Sequence, residues 1–358
     1  MTPASGSAAS DASGVDADGP APLIDETVAL RTAALVAPRR RTSSAEVAAL
    51  RAEVDLDLPR IDEAARAWSQ LGADLAPVSA SVVGRTGWVR VNLAAMRGTF
   101  EPVRERLERR IGAAKVLGVQ VGALFGLLSA KVLGQYVLPL GGPGGGQLVI
   151  VGPNVLDLAE RHGPLATDIR RAVVLHEVIH RLQFEASPWL GDHLRSLVDR
   201  YLTNTREGGL AIAEVAPKLP ELIEEVRRTG TIQPLLGAVL TDEQLAVVAE
   251  AQGMMSLLEG HGNAAMFSAA PPDLITDPDG VRQALAKRHA DVTSKVLSAV
   301  AGLEMKRRQY REGEDFVRGV IELGGVDGLN RAFDGPDRLP VADEVADPQG
   351  WLARVQAA

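Results

Sequence analysis

The sequence predicts an α+β protein that is mostly helical and has a small β-sheet. Helix-capping patterns recur along the chain, as in Ser43 with Glu46 and Thr241 with Gln244. Runs of β-branched residues typical of strands are few and short, and the clearest is Gln147–Val151. The third observation is the stretch VVLHEVIHRLQFE, residues 173–185, where an apolar run leads into two histidines four residues apart. This spacing is typical of a functional helix and not of a strand.

In the first third of the chain we predict three helices, a strand and a further helix. The first helix covers about 23–36, the second begins at the Ser43 cap, and the third covers about 59–75. A short strand in SASVVGRTGWVRVN, residues 79–92, then precedes a helix from about Asn92 to Ile111. The tail at 1–22 is rich in Ala, Ser, Gly and Asp, which is typical of disorder.

An apolar helix is predicted from Val116 to about Gly134. Its uncharged part, Val116–Ala130, has 15 residues, fewer than the roughly 20 needed to span a bilayer. We therefore expect a buried core helix and no membrane contact. The N-terminus has neither a basic start nor an apolar core, so we expect no secretory signal and a cytoplasmic protein.

The glycine-rich stretch at 141–146 is predicted to be a flexible hairpin or connection. It lacks the Gly-Lys-Ser/Thr ending of a phosphate loop, and a strand follows it instead of a helix. That strand, Gln147–Val151, is either internal or an edge that could pair with an extended peptide. The next helix begins near Pro164, capped by Thr167 or Asp168, and ends before Pro188; the chain from Thr241 to about Val355 is predicted to be helical.

Composition limits the chemistry and the partners. The chain has 358 residues and a net charge of −8, which argues against a broad nucleic-acid surface. It has no cysteine, so any metal site must use His, Asp and Glu. We divide the chain into the tail (1–22), an N-terminal helical segment packed on the core (23–80) and the main domain (81–358).

The two histidines of the motif are placed for one metal ion. Four residues advance a helix by about 400°, so His176 and His180 share a face and can converge on Zn²⁺. Glu177 lies about 100° further round, where it can act as general base on a zinc-activated water without being a ligand. The alternative is a helix with two buried histidines, but two imidazoles and a carboxylate in an apolar helix are costly without a metal or other partners.

A third ligand must come from elsewhere in the chain. The metzincin continuation would need glycine and histidine where this chain has Gln183 and Ala186. A glutamate from a later helix is the other solution, and MSLLEGHGNAAM offers Glu259 in an apolar stretch; the alternative for this residue is a buried salt bridge to an arginine. His261 lies about 200° round the helix from Glu259, so we expect it behind the ligands or, less favoured, as an alternative ligand.

One further residue is a candidate for catalysis. Tyr310, in KRRQYREGEDF, could donate a hydrogen bond to a developing oxyanion. The alternative is a tyrosine that packs with its hydroxyl group at the surface.

With these residues identified, the chain resembles a family of actinobacterial zincin-like proteins described as hydrolases or zinc-dependent metalloproteases. One branch of the family is associated with biosynthesis of the deazaflavin coenzyme. The resemblance implies a zincin-like fold, zinc bound by His176, His180 and Glu259, and Glu177 as the base. It spans roughly residues 80–335 and rests on GRTGWVRVN (84–92), VLGQY (132–136), LVIVGPNV (148–155), HEVIHRLQFEASPWL (176–190), MSLLEGHGNAAM (255–266) and QYREGEDFV (309–317).

The expected function is a zinc-dependent, gluzincin-like metallopeptidase that hydrolyses a peptide or protein substrate. The alternative is a catalytically weak or inactive metal-binding or regulatory module, accessory to deazaflavin coenzyme metabolism. Phe267 favours the alternative, because the family usually has an aspartate near this position and such a residue can support a metal ligand. The sequence predicts neither the substrate nor the oligomeric state.

Overall fold

The fold is mostly helical with one small sheet, which confirms the predicted fold class. The computed structural model describes residues 23–38, 40, 42–97, 99, 113–139, 145–204, 221, 224, 228, 240–296 and 303–357, without the side chains of 113, 289–296 and 303–311. The helices are α1 (Glu26–Val36), α2 (Ser44–Ser69), α3 (Arg85–Ala95), α4 (Ala113–Leu128), α5 (Gly152–Arg161), α6 (Ala166–Ala186), α7 (Pro188–Thr203), α8 (Asp242–Ser268), α9 (Pro278–Val296), α10 (Leu303–Asn330) and α11 (Pro348–Ala357). Short 3₁₀ turns lie at Gly163–Leu165, Arg331–Phe333, Pro336–Arg338 and Ala342–Ala346. The predicted tail lies outside the described residues.

Three strands form the sheet in the order β1-β3-β2. They are β1 (Ala80–Val83), β2 (Gly134–Val137) and β3 (Gln147–Val151), with β1 parallel and β2 antiparallel to the central β3. The expectation that β3 could be an edge is therefore wrong, because it is paired on both sides. Alternate residues of β3 enter different apolar clusters, as Leu148 and Val149 do, so both faces of the sheet are covered.

The glycine-rich stretch connects the two antiparallel strands, as the predicted hairpin requires. β2 ends at Val137 and β3 begins at Gln147. Of the stretch itself, residues 141–144 lie outside the described residues. β2 was not predicted: the apolar helix was expected to reach about Gly134 but ends at Leu128, and Gln135–Val137 were assigned to no element.

α2 is one helix, whereas a break near Pro59 was predicted. Its buried residues Leu50, Val54, Leu58, Ile61 and Ala65 are spaced three or four apart and all belong to one core cluster. This apolar face continues through the proline, so packing outweighs the hydrogen bond that proline cannot make. The helix ends at Ser69, followed by Gln70 in the left-handed conformation, and does not reach Leu75.

α3 begins at Arg85, seven residues before the predicted start at Asn92. Its β-branched residues favoured a strand, but Trp88, Val89 and Leu93 are buried at helical spacing against the sheet. Tertiary packing overrides strand propensity here. The predicted remainder of this helix, at 98 and 100–112, lies outside the described residues.

α4 is not the fully buried core helix that was predicted. Its glycine face lies against α1 so closely that side chains at Gly122 and Gly126 would overlap the backbone of Ala29 and Ala33. The opposite face leaves Val116 and Leu124 more than half exposed. Glycines therefore make the closest contact of this helix with α1, while Val121 and Phe125 pack against the apolar cluster on the sheet. No helix in the described part of the chain is long and apolar enough to cross a membrane.

The motif helix α6 runs through the middle of the molecule. It packs against α2 on one side and α8 on another, and it contacts α5, α7 and β2 as well. A 3₁₀ turn at Gly163–Leu165 leads into it, and Pro188 begins α7 directly after it ends. The predicted caps are wrong: neither Thr167 nor Asp168 caps this helix, and Asp168 instead accepts hydrogen bonds from the backbone N–H groups of Thr276 and Asp277.

The later helices follow the prediction more closely. α8 begins after Thr241 with the predicted capping box, in which the Thr241 hydroxyl and the Gln244 side chain satisfy each other's backbone N–H groups. α10 bends at Gly325, where φ is 68° and ψ is −175°, a conformation that is essentially restricted to glycine.

Candidate metal centre

His176 and His180 lie on one face of α6 with their ring nitrogens turned toward each other. The two Nε2 atoms are 3.0 Å apart, and the rings are nearly perpendicular, at 86°. The helix buries apolar neighbours on both sides, among them Leu175, Val178 and Ile179. The burial of these neighbours fixes the rotation of the helix and so directs both imidazoles toward α8.

Glu259 is brought to the two histidines by α8. Its Oε2 atom is 3.5 Å from His176 Nε2 and 3.9 Å from His180 Nε2. A tetrahedral ion with bonds of about 2.0–2.2 Å would hold its ligand atoms about 3.3–3.6 Å apart. The three observed separations, 3.0, 3.5 and 3.9 Å, lie below, within and above this range, and the same three residues form a group that could hold a metal ion.

The donor set also fits zinc chemically. Two imidazole nitrogens and one carboxylate oxygen are typical of a catalytic zinc site, in which a fourth position is left for water or substrate. All three side chains are partly exposed, with Glu259 the most open at 24%. The residues present thus fit the metal and leave it within reach of solvent.

α8 can approach α6 this closely because residue 262 has no side chain. A Cβ atom at Gly262 would lie 2.7 Å from both Nδ1 and Cε1 of His176. Gly262 is three residues after Glu259 and so lies on the same face of the helix. His176 Nδ1 is buried and has no hydrogen-bond partner among the described residues.

Glu177 lies between the histidines and the edge strand β2. Its Oε2 atom accepts a hydrogen bond of 3.1 Å from the backbone N–H of Tyr136. Gly134 packs directly against it, since a Cβ atom there would be 2.6 Å from Glu177 Cγ. The carboxylate is therefore held in position by β2, a strand that the sequence did not predict.

Burial raises the pKa of Glu177 to about 7. The neighbouring His180 and the hydrogen bond from Tyr136 N–H lower this pKa, and the neighbouring Glu259 raises it. A carboxyl group whose pKa lies near neutral pH is suited to both accepting and returning a proton.

Behind His180 lies a buried glutamine that was considered only as a departure from another motif. The Oε1 atom of Gln183 is 2.9 Å from His180 Nδ1, and its Nε2 atom donates to the Leu258 carbonyl at 3.1 Å. The same Nε2 atom is 3.0 Å from His261 Nδ1. A polar residue three positions after His180, on the buried part of the helix, is the signal that could have identified it.

His261 is not among the three residues that converge. It is fully buried between aromatic rings, with Trp68 stacked at a centroid distance of 5.1 Å and Phe333 at 5.5 Å. Desolvation lowers its pKa to about 3, so the ring is neutral. It reaches His180 only through Gln183, which places it behind the candidate ligands.

Tyr310 and Phe267 are the two remaining residues that the sequence singled out. Tyr310 belongs to α10, but its side chain lies outside the described residues. Phe267 packs under Arg282, whose guanidinium carbon is 3.9 Å from the ring centroid, and Arg282 in turn pairs with Glu314. These contacts give Phe267 a packing role.

Two comparisons with known proteins find similarity over most of the chain. A family model described as zincin-like metallopeptidase matches residues 24–352. A crystal structure of a proposed hydrolase with a novel fold from Chloroflexus aurantiacus is similar, with a TM-score of 0.67 and 27% sequence identity; the match covers 94% of this chain and 99% of that one. No curated protein matches the chain at a significant level.

Proposed function

The chain belongs to the zincin-like metallopeptidase family, and from this premise we propose that it is a zinc-dependent hydrolase of the gluzincin type acting on peptide or protein amide bonds. The observation that supports this proposal is the convergence of His176 Nε2, His180 Nε2 and Glu259 Oε2, with the Glu177 carboxylate beside them. A zinc ion bound there would supply Lewis acidity toward a carbonyl group and toward water.

Glu177 is the proposed general base. Its Oε1 atom would accept a proton from the water that attacks the carbonyl carbon, while Oε2 stays bound to the Tyr136 N–H. As the new carbon–oxygen bond forms and the carbon–nitrogen bond breaks, Glu177 would return the proton to the leaving amine. The burial of Glu177 favours its protonated form, which supports its role as the proton acceptor.

The position of β2 supports an extended substrate. β2 is at an edge of the described sheet beside Glu177. Because Glu177 already accepts the outward Tyr136 N–H, a peptide would pair with other main-chain groups of β2. An extended peptide can add to such an edge through main-chain hydrogen bonds. The strand beside the base, and not the central β3, is therefore the proposed site of pairing.

A peptide-library digest tests the proposal. Zinc-loaded wild-type protein and Glu177→Gln are incubated with the same library, new termini are identified by mass spectrometry, and the zinc content of both samples is measured. We expect cleavage by the wild type and a loss of about 10²–10⁴-fold in Glu177→Gln with zinc retained, because only the proton acceptor is removed.

The opposite outcomes are equally specific. If the wild-type protein retains zinc and cleaves nothing, the proposed hydrolase function is wrong, and the alternative function as a metal-binding or regulatory module is favoured. Equal cleavage by Glu177→Gln would remove Glu177 from the mechanism.

A further inference from the structure

The orientation of the Gln183 side chain is determined by one of its partners. The Leu258 carbonyl oxygen can only accept a hydrogen bond, so the amide atom 3.1 Å from it must be the NH₂ nitrogen. The oxygen of Gln183 then faces His180 Nδ1 at 2.9 Å. Hydrogen positions follow from this network of contacts.

The protonation of His180 follows from that orientation. An amide oxygen only accepts, so Nδ1 of His180 must carry the hydrogen of this contact. In the neutral ring the hydrogen can be on one nitrogen only, and Nε2 therefore keeps its lone pair. This Nε2 is the atom that faces His176 and Glu259.

His261 fixes the other end of the amide. The second hydrogen of the Gln183 NH₂ group faces His261 Nδ1 at 3.0 Å, so that nitrogen is the acceptor and the ring is neutral. The ring cannot easily turn, because it is fully buried between Trp68 and Phe333. Gln183 itself is fully buried, so water does not compete for its hydrogen bonds.

We propose that Gln183 is a positioning residue of the metal centre: its amide, anchored on α8 by the Leu258 carbonyl and His261, holds His180 with Nε2 free for the ion. The inference rests on the proposed zinc site. It gives Gln183 two tasks, since the same side chain ties the helix that provides the two histidines to the helix that provides Glu259. Outer partners of this kind typically change metal affinity about 10–100-fold.

Zinc affinity in three variants tests the proposal. Dissociation constants are measured by competition with a chromogenic chelator for wild type, Gln183→Leu, Gln183→Glu and Gln244→Leu. Gln244 is the matched control, because it is a buried amide on α8 that only bonds to Thr241 and Tyr201 near the start of the helix. We expect zinc to bind about 10–100-fold more weakly in Gln183→Leu than in wild type. The loss of affinity should be smaller in Gln183→Glu, which keeps an oxygen for His180 Nδ1. Gln244→Leu should bind zinc as tightly as wild type.

Equal affinity in Gln183→Leu and wild type would overturn the inference, as would an equal loss in Gln244→Leu. A second measurement covers the case in which Gln183→Leu does not fold. In zinc-free wild-type protein labelled with ¹⁵N-histidine, NMR should show His180, assigned with His180→Ala, protonated at Nδ1; protonation at Nε2 alone would overturn the inference.

The two proposals can fail separately. Wild-type protein with no measurable zinc affinity would defeat the proposed function, while the tautomer of His180 would still test the role of Gln183. Zinc binding that does not depend on Gln183 would defeat only the inference made here.

Discussion

At the residue scale, the space around His176 is as important as the donor atoms. The ring lies against Gly262, where even one methyl group would be 2.7 Å from Nδ1 and Cε1. Protein interiors are close-packed, and an added carbon must displace something. Since the helix backbone is fixed by its own packing, the ring is the part that would move.

Replacing this glycine should therefore weaken the metal centre. In Gly262→Ala we expect zinc affinity to fall by at least about tenfold, the lower end of the effect of losing a supporting contact. Chelator competition measures the change. Gly191→Ala is the control, because in the described structure nothing lies within 4 Å of the added carbon, and alanine there should raise stability by about 0.5–1 kcal/mol without affecting zinc. Unchanged zinc affinity in Gly262→Ala would contradict the geometry of the site.

The candidate site could be predicted in part from single residues. His176 and His180 follow from helix geometry, and Glu259 follows from the cost of a lone carboxylate in an apolar stretch. Gln183 could not be found in the same way, because a glutamine has no charge to signal a partner. Its contacts on α8 lie 75 and 78 residues away, and only the fold brings them to it.

At the scale of elements, the position of α8 depends on close contact with α10. A side chain added at Gly260 would overlap the backbone of Gly313 in α10, and one added at Gly313 would overlap the backbone of Ser256 in α8. Gly260 directly follows Glu259, so the contact that sets the distance between the two helices is next to the candidate ligand. The same helix is stabilised at its far end by the Thr241 cap.

Two substitutions on α8 should separate stability from metal binding. Gly260→Ala forces α8 and α10 apart. We expect the free energy of unfolding to fall by about 1–3 kcal/mol, which is typical of overpacking, and zinc to bind more weakly. Thr241→Ala removes a cap at a cost of about 0.5–2 kcal/mol and should leave zinc affinity unchanged. Denaturant unfolding and chelator competition on both variants check this; equal zinc affinity in the two would contradict the role given to the helix contact.

Elements were predictable where their signals are local. The capping boxes at Ser43 and Thr241 mark true helix starts. The short strand β2 has only four residues and begins with glycine, so its identity depends on pairing with β3. Pro59 does not break α2, because the apolar spacing of the helix continues through it.

At the scale of the whole molecule, the site is a meeting of separate parts of the chain. β2 holds Glu177, α6 provides the two histidines, and α8 provides Glu259. The helical class and the small sheet were predictable from composition and capping. The strand order was not, because β1 pairs with β3 across more than sixty residues and no local pattern records that pairing.

Elemental analysis of protein purified without added metal shows directly whether His176, His180 and Glu259 hold one zinc ion. Wild-type protein should contain about one zinc per chain, as a site with three protein ligands implies. His176→Ala, His180→Ala and Glu259→Ala should each lose it, whereas Thr241→Ala should retain it. Wild-type protein without zinc after incubation with the metal, or full zinc content in His176→Ala, would show that these three residues do not form a zinc site.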